Sequence, residues 1–262
     1  MLIDTHVHLD DPRYDPDRED VFARAQKAGV KGFITIGCDL ATSRAAVAVA
    51  EHHANVYATV GVHPHEVSMI QASWYAELKQ LAQHPKVVGY GEIGLDYHYE
   101  HSPRNIQRQK FREQLCVARD LHLPVIIHTR EAQEETIAIL REERAQEIGG
   151  VFHCFSGDAT LAKEALDLGF YLSFSGIITF RNAYTLREIV RTIPDDRLLI
   201  ETDAPYLTPV PFRGTRNESA YVKLVAEQIA RIRDGKNNGS FEKIAQITTN
   251  NARCLFKISS SF

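Results

Sequence analysis

The stretch LPVIIHTR, residues 123–130, sets Val125, Ile126 and Ile127 in an unbroken apolar run and ends it on His128. A strand with one face in water alternates apolar and polar residues. A continuous β-branched run is instead buried on both faces, as parallel strands are when helices cover them. Seven further runs of this kind occur, at Leu2 to Val7, Gly32 to Ile36, Val56 to Val60, Val87 to Tyr90, Gly150 to His153, Tyr171 to Phe174 and Leu198 to Ile200. Amphipathic stretches lie between them, among them Val21, Phe22, Ala25 and Ala28 before Gly29, and Leu161, Ala162, Ala165 and Leu166 before Gly169. Each closes on a glycine stop, while Asp158 and Ser102-Pro103 read as helix starts. Eight βα repeats predict an α/β fold, a (β/α)8 TIM barrel of parallel strands with outer helices, for which ~250 residues is typical. A doubly wound sheet is disfavoured, because no GxGxxG or GxxxxGK[ST] stretch is present.

Beyond the eighth run, Val222 to Ile232 and Phe241 to Ile247 carry two more helical stripes, separated by a loop at Asp234 to Gly239. Both helices are expected on the barrel's outer wall. No linker divides the chain, so residues 1–262 read as one domain. With 44% apolar and 24% charged residues the composition is that of an ordinary globular protein. Thirty Lys and Arg against 34 Asp and Glu leave a net charge of -4, so no bulk basic field draws nucleic acid or anionic lipid. No run approaches the roughly 20 apolar residues of a membrane span, and the N-terminus lacks the form of a secretion signal. Four cysteines without CxxC spacing fit a reducing compartment, and a cytoplasmic location is expected.

Metal-competent side chains recur where the strands end: His6 and His8 on the first, His63 after the third, Glu92 after the fourth, His128, His153, and Asp203 after the eighth. In a parallel barrel all carboxyl ends open onto one face, so residues nearly 200 positions apart converge there. His6 and His8, two apart on a strand, point to the same side. Taken alone, an HxH pair is as readily a hydrogen-bonded buried pair, and one histidine at a strand end is more often structural. The set changes that balance. Glu92, in VVGYGEIGLDYH, offers two oxygens that can bridge two cations, and Asp203 can bind a metal and orient water. Both are the expected catalytic carboxylates. Glu201, two before Asp203, reads as a group that steers a ligand histidine from behind. Asp96 and His98 are weaker candidates. Cys154, next to His153, is expected to face away and pack. Nitrogen and carboxylate donors without thiolate suit zinc, manganese or magnesium, and six ligands for two ions leave room for water.

The segments DTHVHLD, GVHPH, GEIGLDYH, IIHTR, HCFSG, ETDAPYLTP and RGTRNESAYV, in this order across the whole chain, resemble the TatD-type metal-dependent hydrolases of the amidohydrolase-like barrels. The resemblance implies a deoxyribonuclease, chiefly a 3′-to-5′ exonuclease, with two divalent cations. It implies that His6, His8 and Asp203 hold one ion, that His128 and His153 hold the other, and that Glu92 bridges them. It also places His63 and His65 near the substrate and makes DNA, with single-stranded ends, the expected partner. Ser219 stands where the family would have proline after Asn217-Glu218.

The expected reaction is phosphodiester hydrolysis by a water that the two cations acidify, with Asp203 as base. Arg130, Arg181 and Arg213 or Arg216, in loops after strands five, seven and eight, are the candidates for phosphate, and Tyr97, Tyr99, Phe180, Tyr206 and Phe212 for stacking on a base. A second reading keeps the metals but hydrolyses a small amide, lactone or non-nucleotide ester. A third, non-enzymatic reading makes the metals structural and the mouth a docking face. Nothing in the sequence points to a membrane or to an obligate protein partner.

Overall fold

The computed structural model describes residues 1–233 and 240–258. The predicted loop at Asp234 to Gly239 lies outside them. Eight strands, β1 (Leu2–Val7), β2 (Val30–Ile36), β3 (Val56–Val60), β4 (Val87–Asp96), β5 (Val125–Arg130), β6 (Gly150–Phe152), β7 (Tyr171–Phe174) and β8 (Leu198–Ile200), pair in sequence order, every pair parallel. A parallel bridge between Val7 and Ala204 joins the first strand to the residues after the last. The protein is a (β/α)8 barrel, as the eight apolar runs predict.

Seven helices fill the crossovers: α1 (Arg18–Lys27), α2 (Leu40–His52), α3 (Ala72–Leu81), α4 (Arg104–Leu121), α5 (Gln133–Glu142), α6 (Ala159–Asp167) and α7 (Tyr184–Thr192). Asp158 caps α6 by accepting from Leu161 N, as its sequence position suggests. Ser102 does not cap α4; Pro103 holds that place, and Ser102 Oγ instead donates to His65 O and accepts from Ser68 N, tying two loops at the barrel mouth.

Two apolar layers separate cleanly. Ile3, Ile34, Val88, Ile126, Val151 and Leu199 fill the barrel's interior, while outward residues of the same strands pack against the helices. The two C-terminal helices do different jobs. α8 (Val222–Arg233) lies on the wall through Val222, Val225 and Ile229, as expected. α9 (Phe241–Phe256) instead closes the amino end: its Ala252 and Phe256, with Ile258, join the interior cluster, Thr249 Oγ1 donates to Met1 O, and Asn251 donates to Leu198 O. A helical stripe specifies that a face is buried, not which surface of the barrel buries it.

Two strand irregularities aim the chemistry. Between Asp4 and Val7, β1 takes three steps where β2 takes two (Phe33 to Thr35), and between Tyr90 and Ile93, β4 takes three where β5 takes two (Val125 to Ile127). Such an extra residue breaks the period of two and re-aims a side chain. Leu2 and Val7 are five apart, an odd spacing, yet both belong to the outer layer. The switch leaves His6 pointing inward. In β4 the extra residue follows an earlier shift against β3 and restores the alternation set by Val87 and Val88, so that Tyr90 alone lies out of phase in the outer layer, Ile93 and Leu95 face outward, and Glu92, Gly94 and Asp96 share the inner side with Val88.

Where β4 and β5 carry the site, the backbone of β4 leaves no room for a side chain at Gly94. Gly94 has φ of +144°, pairs with His128, and a Cβ added to it would stand 1.9 Å from His128 O. Gly94→Ala is therefore expected to destabilise the protein by about 3 kcal/mol through strain and overpacking, lowering Tm by roughly 5–10 °C. Thermal unfolding checks this, and an unchanged Tm would show that the strands can part without cost.

Candidate metal centre

Hydrogen bonds between the first and last strands bring the ends of the chain together. Asp203 N donates to His6 O at 2.9 Å and His8 N to Ala204 O at 2.8 Å, so the Asp203 carboxylate stands beside both imidazoles: Oδ1 is 3.4 Å from His8 Nε2 and 3.7 Å from His6 Nε2. Asp203 adopts φ of +56°, in the left-handed region that aspartate tolerates better than most residues.

Glu92 lies at the centre. Its Oε1 is 2.7 Å from His153 Nε2, 2.8 Å from His128 Nδ1 and 3.3 Å from His63 Nε2, and its Oε2 is 3.3 Å from His6 Nε2. The rings of His6 and His153 stack, with centroids 4.0 Å apart. His6, His8, Glu92, His128, His153 and Asp203 are thus gathered in one cup at the carboxyl ends of the strands. Among the described residues four donor sets are tight enough to share an ion: His6, His8 and Asp203; His63, Glu92 and His128; His6, His153 and Glu201; and His8, Cys38 and Glu92.

The electrostatics of this cup call for added positive charge. Burial alone would push Glu92 up, but the charges of His153 and His63 and a hydrogen bond from His128 hold it well below the ordinary carboxylate range. Burial likewise opposes the ionised form of Asp203, and His8 and His6 outweigh it, so that carboxyl too is lowered. Burial lowers His6, helped by the charge of His153, and carries His63 down to about 4. His153 is raised well above its usual value: burial opposes its charge, and Glu92 and Glu201 overcome that. The field that holds this proton also attracts a divalent cation, which displaces protons from its ligands.

His6 gives the sharpest test of fit. It is fully buried, and neither Nδ1 nor Nε2 has a hydrogen-bond partner among the described residues. Buried polar atoms are normally satisfied, and leaving them bare costs free energy that a coordinated ion would offset. Nitrogen and carboxylate donors without a thiolate core fit divalent ions of the zinc, manganese or magnesium kind.

Glu201 is buried behind this layer; Oε1 is 3.4 Å from His153 Nδ1 and accepts from Cys154 N at 2.6 Å. Cys154 departs from expectation. β6 ends at Phe152, Cys154 takes φ of +42°, and its sulfur lies 3.2 Å from Ser175 Oγ and within the field of Asp203 and Glu201, so it is at the mouth rather than turned away. Sequence reasoning passed over Cys38, whose Sγ is 3.9 Å from His8 Nδ1 and which groups with His8 and Glu92. The available signal was its position just past β2, a strand end from which no side chain was named.

His63 sits closer to Glu92 than a purely substrate-facing residue would, while His65 turns to Asp96 at 3.2 Å. Among the arginines, Arg216 is committed elsewhere: it pairs with both oxygens of Asp17 at 2.7 and 2.8 Å, donates to Arg13 O and lies over Tyr14. Arg130 lies 4.7 Å over Tyr99 and Arg213 lies 3.9 Å over Phe180. Those two and Arg181 are exposed, with no ion pair to a carboxylate among the described residues.

The family model described as TatD related DNase matches residues 3–257. This chain belongs to that family. The uncharacterised metal-dependent hydrolase YabD of Bacillus subtilis is 48% identical over 258 residues, covering 98% of this chain and all of that protein. A relative from Erwinia amylovora, the 3′-5′ ssDNA/RNA exonuclease TatD, is 37% identical over 97% of this chain and 99% of its own. Among solved structures, YjjV, a TatD homologue of Escherichia coli K12, superposes with a TM-score of 0.92 at 31% identity, covering 98% of each chain. The protein is accordingly a TatD-family metal-dependent hydrolase. Among the described residues no helix is long and apolar enough to cross a membrane.

Proposed function

We propose that this hydrolase cleaves phosphodiester bonds as a 3′-to-5′ exodeoxyribonuclease, with His6, His8 and Asp203 holding one divalent cation, His128 and His153 a second, and Glu92 shared between them. The observation that carries the proposal is Glu92, whose two oxygens face His6 on one side and His63, His128 and His153 on the other. When bound, such cations acidify a water near neutral pH and neutralise charge on phosphoryl oxygens. Asp203, at the rim of the cup, orients the attacking water and takes its proton. His63 and His65 stand in the loop after β3, beside Glu92 and Asp96 respectively, and line the side of the cup on which the substrate enters. Arg130, Arg181 and Arg213 hold phosphate oxygens; aromatic faces under Arg130 and Arg213 keep those two guanidinium groups in place. The net charge of -4 makes this local set, rather than a global field, the means of holding a polyanion. The Erwinia relative, named as a 3′-5′ ssDNA/RNA exonuclease, supports the same substrate class.

End-labelled single strands, blunt duplexes and nicked circles, offered to chelator-stripped protein resupplied with zinc, manganese or magnesium, test the reading. Stepwise release of mononucleotides from 3′ ends of single strands is the expected result. Hydrolysis of cyclic amides or lactones with no cleavage of DNA would replace it with the small-substrate reading, and faster attack on duplex interiors would remove the preference for ends.

A further inference from the structure

Asp96, four residues beyond Glu92 on the same face of β4, is built as a rigid hub. Its side chain is buried. Oδ1 accepts from two backbone amides, His98 N at 3.0 Å and Tyr99 N at 2.9 Å, and Oδ2 lies 2.9 Å from His128 Nε2 and 3.2 Å from His65 Nε2. Its own backbone is clamped by Gln107, which accepts from Asp96 N at 2.8 Å and donates to Asp96 O at 2.9 Å, and Gln107 is itself fully buried. The carboxylate can neither rotate nor withdraw.

We infer that Asp96 is the positioning residue of His128: it fixes the proton on Nε2 and so leaves Nδ1, which faces Glu92 at 2.8 Å, as the metal-binding nitrogen. The inference rests on the two-cation reading above. Glu201 stands in the matching place behind His153, opposite the Nε2 that faces Glu92, so each histidine of this pair presents a different ring nitrogen to the cup.

Asp96→Asn tests this with unusual sharpness. The two backbone N–H groups require an acceptor at the Oδ1 position, so the amide oxygen stays there and the NH2 takes the place of Oδ2. A donor then faces His128 Nε2, which must become the acceptor, and the proton moves to Nδ1, where it blocks coordination. Zinc binding to chelator-stripped protein, followed by calorimetry, is expected to show one of two sites weakened by about 10–100-fold and the other unchanged. ¹⁵N shifts of His128 in the stripped protein, read at a pH high enough to leave the ring neutral, should change from the Nε2–H to the Nδ1–H tautomer. His65→Gln, which removes the other imidazole on the same oxygen, should leave both cation affinities unchanged.

Wild-type affinities and an unchanged His128 tautomer in Asp96→Asn would overturn the inference. So would equal weakening of both sites together with a lower Tm of the stripped protein, since that marks a merely structural role. Should the wild-type protein bind a single cation, the two-cation reading falls, and the loss or retention of that one site, with the tautomer, still decides the role of Asp96.

Discussion

Glu92→Ala is expected to abolish turnover, by more than about 10⁴-fold, and to empty both cation sites. Among the described residues the carboxylate is the one group beside His6, His63, His128 and His153 at once. Without it, those imidazoles face one another across a buried space with no negative charge between them. A cation brought there would meet neutral rings and the more distant Asp203, in a setting where desolvating a divalent ion is costly. Metal content by elemental analysis and turnover on end-labelled DNA are the measurements. An alanine variant that kept two cations per chain and wild-type activity would sink the central role of Glu92.

Asp203→Asn is expected to lower kcat by roughly 10²–10⁴-fold at saturating cation, with KM changed far less. Asparagine keeps the shape and the backbone bond from Asp203 N to His6 O, so the barrel stays joined. It removes the charge that opposes burial only with the help of His8 and His6, and with it the ability to take a proton from water. Steady-state kinetics across a range of cation concentrations separates the two effects. A variant whose loss vanished at high cation would show Asp203 to be a ligand without a role as base.

The gathering of these side chains was legible because most of them end an apolar run, and a parallel barrel delivers every such end to one mouth. His128 after Val125, Ile126 and Ile127, and Asp203 after Leu198, Leu199 and Ile200, follow that rule directly. Asp96 was legible only in part. Its parity with Glu92 could be read along the strand, but the amides of His98 and Tyr99 that lock it belong to a turn with no strong signature. Arg216 illustrates the opposite error: an arginine in a mouth loop looks free until Asp17, 199 residues away in sequence, is seen beside it.

The sequence by itself determined the class of fold, the number and order of strands, and the side chains that meet, because continuous apolar runs with polar ends and glycine-stopped helices permit little else. Tertiary structure alone decided which way those side chains face. One extra residue in β1 reverses the strand parity at His6, and such an insertion is defined only against the neighbouring strand's register. It also decided that α9 closes the barrel's amino end and that Asp96 lies behind His128, because both depend on contacts between segments far apart in the chain, whose distances no local pattern encodes.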